Sequence, residues 1–255
     1  MTKTSTPPAH SAPILSTSVY TLRLATSLED LHASQRLRYQ VFNVELHEGL
    51  SSSESSGRDA DKFDPYCDHL LVEHRSSGHI VGTYRLQTGM LALAQEGYYS
   101  AQEFFFAPYE PIRHELIEVG RACVHAAHRN LSVLHLLWRG IARYAQARNC
   151  RYLIGCSSLT TQDEAYGEAM YAELAASHLI REELQTAPLP GHGLRPVVEI
   201  PGDYPPLPRL MRAYLGIGAK ICGRPAIDRA FKTIDFLTLL DLHDVPPAVR
   251  SHFLE

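Results

Sequence analysis

Glu118 and Arg121, three apart in the run Leu116 to Val124, are a carboxylate and a guanidinium that could act together. A positioned carboxylate can speed removal of a proton by about 10²- to 10⁴-fold. A guanidinium can hold a carboxylate through two parallel hydrogen bonds, which a lysine does less well. The run reads as a strand, and there an offset of three places the two side chains on opposite faces. A shared site therefore requires an irregularity between Glu118 and Ala122, such as a β-bulge, which would re-aim the side chains and expose a backbone N–H.

The charges are segregated along the chain. Glu45 to Asp68 carries seven acids (Glu45, Glu48, Glu54, Asp59, Asp61, Asp64 and Asp68) against Arg58 and Lys62. Arg121 to Arg151 carries six arginines and no acid. Either block alone reads as a solvated face, but both in one chain point to two unlike partners, one cationic and one anionic. His125 and His128 have no third ligand at a suitable spacing, and five cysteines without a C-x-x-C pair give neither a zinc site nor a disulfide framework. No metal is expected.

These residues need elements to hold them. Tyr20 to Leu24 reads as a first strand, followed by a helix from Leu28 to Glu45 with Ser27 as its N-cap. The polar stretch Glu48 to Asp59 is a loop that delivers Asp61 and Asp64. His69–Glu73 and Ile80–Leu86, separated by Ser76-Ser77-Gly78, form an antiparallel hairpin. Strand Leu116–Val124 leads to a helix from about Leu131 to Arg148, with Leu134, Leu137, Trp138, Ile141 and Ala145 on its apolar stripe. Arg139 and Arg143 lie on the opposite stripe. Tyr152–Leu159 is a central strand, Glu164–Ser177 a helix, Leu207–Ile221 a helix and Ile234–Leu240 a last strand. This order describes an α/β (α+β) domain with a mixed sheet.

With 255 residues, 45% hydrophobic and 20% charged, the chain can bury a core without staples and is neither disordered nor polytopic. No apolar run nears the roughly 20 residues that span a bilayer. Residues 1–18 lack an apolar signal region and read as a flexible tail on a cytoplasmic protein. The domain then spans 19–245, including a C-terminal extension from about 205. No P-loop is present, Gly216-x-Gly218 stands alone, and no nucleic-acid partner is expected.

Four spaced blocks carry a family likeness: Arg38-x-x-Val41-Phe42, Asp61-x-x-Asp64, Gly82-Thr-Tyr-Arg85-Leu86 and Glu118-x-Gly120-Arg121. Together they resemble the acyl-carrier-protein-dependent branch of the GNAT acyltransferases, which includes acyl-homoserine lactone synthases and N-acyl amino acid synthases. Asp64-Pro-Tyr-Cys-Asp68-His69, Leu137-Trp138-x-Gly140-Ile141 and Leu153-Ile-Gly155-Cys156-Ser157-Ser158 are similar to the L-ornithine Nα-acyltransferases of bacterial ornithine lipid synthesis, often labelled haemolysin-like. The likeness covers about Tyr20 to Leu240. It implies a GNAT-like, mostly antiparallel central sheet flanked by helices.

One departure from the wider superfamily is informative. Acetyl-CoA-using members carry R/Q-x-x-G-x-G/A before the helix, so that backbone can approach a pyrophosphate. Here the stretch is Arg129-Asn-Leu-Ser132-Val-Leu134, without either glycine. A 4′-phosphopantetheine arm on a carrier protein has one phosphodiester and needs less of that cradle.

The resemblance thus implies transfer of a (3-hydroxy)acyl group from acyl carrier protein to the α-amine of L-ornithine, giving lyso-ornithine lipid, with no tightly bound cofactor. Glu118 and Arg121 would be catalytic, and Arg38, Asp61, Asp64 and Arg85 would bind the amino acid. For Arg38 and Arg85 a scaffolding role stays open, Arg85 through a salt bridge to Asp64 or Glu118. Arg129, Arg139, Arg143 and Arg148 would dock the acidic carrier protein. Phe105 and Trp138 would line an acyl tunnel. Another N-acyl amino acid synthase or an acyl-homoserine lactone synthase remains open, as does peripheral association at the inner membrane. A lipid-binding haemolysin would require a Lys-rich amphipathic helix or a spanning segment, and the sequence offers neither.

Overall fold

The computed structural model describes residues 12–197 and 204–253. The first elements are β1 (Leu15–Ser16), β2 (Tyr20–Leu24) and α1 (Leu28–Tyr39). Ser27 caps α1, its side chain accepting from the Asp30 N–H at 3.1 Å. The predicted helix to Glu45 is continuous only in outline, because Gln40–Glu45 is a π-helical turn. Such turns widen a helix and recur at functional sites. Here it carries Phe42 and the following Leu46 and Glu48 to the wall of the central cavity.

The hairpin of β3 (Asp68–His74) and β4 (His79–Thr88) follows, then α2 (Gly89–Ala94), β5 (Leu116–Val124), α3 (Leu131–Ala147) and β6 (Tyr152–Leu159). The rest comprises α4 (Glu164–His178), α5 (Arg209–Gly216), β7 (Lys220–Ile221), β8 (Ala226–Asp228), β9 (Thr233–Asp241) and α6 (Pro247–Phe253). The strands make one sheet in the order β1-β2-β3-β4-β5-β6-β9-β7, with β8 also on β9. Only β5 and β6 run parallel. The sheet is mostly antiparallel, as expected.

Helix α3 covers one face of the sheet, packing Val133, Leu137, Trp138 and Ile141 against Leu22, Leu70, Val72 and Leu86. Helix α1 lies on the other face, where Leu37 and Val41 meet Cys123. Two boundaries differ from the sequence reading. Residues 1–11 of the expected tail lie outside the described residues, but Leu15 and Ser16 pair with Leu22 and Thr21, and Ile14 and Leu15 pack on the core. At the other end, the fold continues beyond 245 into α6, with Val249 on the same core. Short apolar contacts tie both ends down, and their residues were too few to show periodicity.

The feature that creates the site is a splay. β5 and β6 pair only from Leu116/Tyr152 to Glu118/Ile154, although both strands run further. Gly155 stands at the fork, where a Cβ would collide with the Val119 carbonyl oxygen. Beyond it the strands diverge, and Val119 to Ala122 and Gly155 to Ser158 line opposite walls of a cavity of about 300 Å³.

Candidate active site

The cavity passes through the splay and has two chemically different halves. On the α3 side its walls are Tyr84, Trp138, Ile141, Leu153, Met211, Tyr214 and Leu240, nearly all of them core residues. On the α1 side they are Glu48, Arg85, Tyr99, Glu118, Arg121 and Asp235. A hydrophobic passage therefore opens into a charged chamber at the diverging strand edges.

The irregularity expected in β5 is present. Thr83 faces Cys123 and Arg85 faces Gly120, so Tyr84 alone opposes Arg121 and Ala122. This two-against-one pairing is a β-bulge. Arg121 takes φ of 50°, a left-handed conformation that costs a non-glycine residue about 1 kcal/mol or more. The bulge rotates Arg121 onto the face of Glu118 and Arg85, as its 3.0 Å hydrogen bond to Asp61 shows.

Glu118 is buried and makes no ion pair with Arg121. Its two oxygens accept from the Tyr99 and Ser100 N–H groups, each at 2.8 Å. Burial pushes its carboxyl above the usual range, against the pull of these hydrogen bonds and of Arg85. A fixed carboxylate with raised basicity at the cavity wall is suited to accept a proton from an ammonium group.

Asp61 and Asp64 sit elsewhere than the sequence reading placed them. They do not line the cavity but lie behind it, in a neutral network of three aspartates and three arginines. Arg38 binds both oxygens of Asp64, at 3.0 and 2.5 Å, and its Nε is 3.0 Å from Asp59. Arg85 reaches Asp61 at 2.7 Å and Asp64 at 2.9 Å. Burial raises both carboxyls, but the guanidiniums outweigh it and hold Asp61 low and Asp64 well below the carboxylate range. Asp61, Asp64 and Arg38 are each already engaged and nearly solvent-free, which fits the scaffold role left open for Arg38 and points the two aspartates to the same role. Arg85 and Arg121 do reach the cavity. Arg121 is clamped between the Tyr99 and Phe231 rings, 4.8 and 4.5 Å from their centroids.

The remaining expectations divide. Trp138 lines the apolar half and packs edge-on against Tyr214. Phe105 is 48% exposed and absent from the lining, so it does not belong to this passage. Arg129 is paired with Glu45 and Arg148 with Asp68, which leaves Arg139 and Arg143 as the two docking arginines without an acidic partner among the described residues. His69 and Asp68 diverge: His69 binds the Asp64 carbonyl, whereas Asp68 accepts from Tyr144 and Arg148. At the start of α3, where the glycines were missing, Asn130 caps the Val133 N–H at 3.1 Å. This cap satisfies one of the four free N–H groups at the helix start.

Sequence reasoning missed Glu103 and Asp235. With Cys156 they place three potential ligand atoms within 4.8 Å of one another, from chain positions too far apart for a spacing motif to reveal. One signal was available, since Asp235 is an acid between Ile234 and Phe236 in the largely apolar β9, and a buried strand rarely holds a free acid. Burial, with Asp235 and Asp228 nearby, raises Glu103 to about 10. Between 4.5, its ordinary value, and about 10, the folded protein retains a proton that the unfolded chain releases. This contribution to stability is therefore full below 4.5 and lost as pH rises toward about 10. Glu103→Gln should flatten this dependence, removing up to about 1.4 kcal/mol per pH unit from the slope of unfolding free energy measured in urea across that window. An unchanged slope would place the proton elsewhere.

A bulged, splayed sheet whose fork opens into a chamber with a buried carboxylate, joined to an apolar passage, defines a GNAT-type acyltransferase. Residues 37–139 match the acetyltransferase (GNAT) domain family. The L-ornithine N(alpha)-acyltransferase of Agrobacterium fabrum is 32% identical over 252 residues, covering 91% of this chain and 84% of that protein. That of Rhodobacter capsulatus is 31% identical, covering 92% and 94%. Among solved structures, FeeM, an N-acyl amino acid synthase from uncultured soil microbes, superposes with a TM-score of 0.55 at 11% identity, covering 92% of this chain and 94% of that one. The AHL synthase LasI gives 0.51 at 13% identity, covering 88% and 90%. The chain belongs to the L-ornithine N(alpha)-acyltransferase family.

Proposed function

We propose that this enzyme transfers a 3-hydroxyacyl group from acyl carrier protein to the α-amine of L-ornithine, forming an amide. The observation that carries the reading is the two-sided cavity: an apolar passage for an acyl chain meets a carboxylate-lined chamber for an amine at one fork in the sheet. The thioester carbonyl would lie at the splay, where Val119 to Ala122 run without β6 pairing and the bulge frees backbone to donate to a developing oxyanion. Glu118, directly or through a water, takes a proton from the α-ammonium, so that the neutral amine can attack the carbonyl carbon. The tetrahedral intermediate collapses with cleavage of the C–S bond, and the carrier thiol leaves with a proton. Arg121 faces the acceptor's α-carboxylate. Trp138 flanks the acyl chain.

A carrier-bound donor is supported by the stretch Arg129 to Leu134, which lacks both glycines that let backbone approach a CoA pyrophosphate. Arg139 and Arg143, on α3 beside Trp138, face an acidic carrier domain. Reversing both to Glu should raise KM for acyl carrier protein roughly 5- to 20-fold at low ionic strength, with the effect shrinking as salt is added. An unmoved KM would place docking on another face. We place the reaction in the cytoplasm beside the inner membrane, since the product is amphipathic and exposed Leu46 and Leu210 border the cavity. No described helix is long and apolar enough to cross a membrane. The direct test is purified enzyme with 3-hydroxyacyl carrier protein and L-ornithine, followed by mass spectrometry for the amide. Release of free acid alone would overturn the reading.

A further inference from the structure

The charged half of the cavity holds an imbalance that the Asp–Arg network behind it does not. Glu48, Glu103, Glu118, Asp228 and Asp235 gather around it, and none forms an ion pair among the described residues. Asp235 and Glu48 line the cavity and are more than nine-tenths buried, yet Oδ1 of Asp235 and Oε1 of Glu48 have no hydrogen-bond partner. Glu103 stands behind Asp235, carboxyl to carboxyl, and shares a hydrogen bond with it. Asp235 is hydrogen-bonded by Ser158 and Thr233 and Glu48 by Thr160, but no cation neutralises either among the described residues, so their placement on a cavity wall calls for one that arrives from outside.

We propose that Asp235 and Glu48, backed by Glu103, receive the side-chain ammonium of the acceptor and give the enzyme its preference for a diamino acid over a neutral one. The proposal rests on the acyl-transfer reading above and assigns the selectivity of the same chamber.

Three observations converge on it. The first is charge. Burial and mutual repulsion keep Glu103 protonated at neutral pH and raise Asp235 only to about 6, so this pair carries close to one negative charge for one ammonium. The second is reach. Tyr99 spans the chamber, its N–H on Glu118 at 2.8 Å and its hydroxyl on Asp228 at 3.4 Å. Asp228 is on β8, which pairs with the β9 segment that carries Asp235. The two nitrogens of extended ornithine are five bonds, or roughly 6 Å, apart, so both can be met within one cavity whose walls carry Glu118 and Asp235. The third is connection. Ser100 donates its N–H to Glu118 at 2.8 Å and its hydroxyl lies 3.4 Å from the Cys156 sulfur, which adjoins Glu103 and Asp235. The proposed base and the acid cluster thus share one wall.

The test compares L-ornithine with L-norvaline, which has the same carbon chain without the terminal amine, using 3-hydroxyacyl carrier protein and the full-length enzyme. In the native enzyme kcat/KM should favour ornithine by about 100-fold or more. In Asp235→Asn that ratio should fall by about 30-fold or more, and in Glu48→Gln by about tenfold. Glu48→Gln is the arm that decides if Asp235→Asn does not fold. A ratio unchanged in the folded variants overturns the proposal, as does an ornithine preference that EDTA abolishes and a divalent cation restores. Equal use of both acceptors by the native enzyme overturns it while leaving acyl transfer intact. Acylation of neither overturns the reading beneath it as well.

Discussion

Glu118→Gln is expected to lower kcat for amide formation by about 10²- to 10⁴-fold, with KM for either substrate within a few-fold of the native value. The amide retains an oxygen for one of the two N–H groups at Tyr99 and Ser100 but cannot take up a proton. The pH profile separates chemistry from support. In the native enzyme the rate should rise with pH as Glu118 ionises, along a limb displaced upward because burial raises its carboxyl. In the variant that limb should vanish. A loss below tenfold, with the limb retained and the melting temperature reduced, would show that Glu118 only anchors the Tyr99–Ser100 turn.

The second large effect is on stability. Arg38 is 1% exposed and closes the network by binding Asp64 through two oxygens, Asp59 through its side chain and the Asp59 carbonyl. Arg38→Met would strand buried carboxylates and should cost about 3–5 kcal/mol, a large part of the roughly 5–15 kcal/mol typical of a domain. Arg38→Lys should recover little, since an ammonium cannot reproduce the two-pronged geometry. Adding Asp64→Asn to Arg38→Met should cost less than the sum of the single changes. Arg36→Ala, which breaks only the exposed pair with Glu29, should change stability by less than about 1 kcal/mol. Equal effects of Arg36→Ala and Arg38→Met in urea denaturation would remove the network from its structural role.

Much of the frame was legible. The strands Tyr20–Leu24, Leu116–Val124 and Tyr152–Leu159 have the predicted bounds, because alternation or a short apolar run flanked by polar residues is a local signal. The bulge at Arg121 was also legible, since a three-residue offset cannot put two side chains on one face of a regular strand. The ion pairing of Asp61 and Asp64 was not. In sequence they look like an acidic segment open to a cation, whereas in the fold three guanidiniums from α1, β4 and β5 neutralise them. Phe105 misled for a related reason: an aromatic run indicates burial somewhere but not which member turns outward.

The sequence by itself determined the class of protein, through the order of its elements and four spaced blocks from Arg38 to Arg121. The tertiary structure alone decided which carboxylates are neutralised and which face the cavity unpaired. Ionic pairing acts over a few ångströms of space rather than along the chain, so Asp235 of β9, Glu48 after the π-helical turn and Glu103 become one group only when the sheet brings them together. Burial then sharpens the distinction, because low-dielectric surroundings strengthen a made pair and penalise an unmade one.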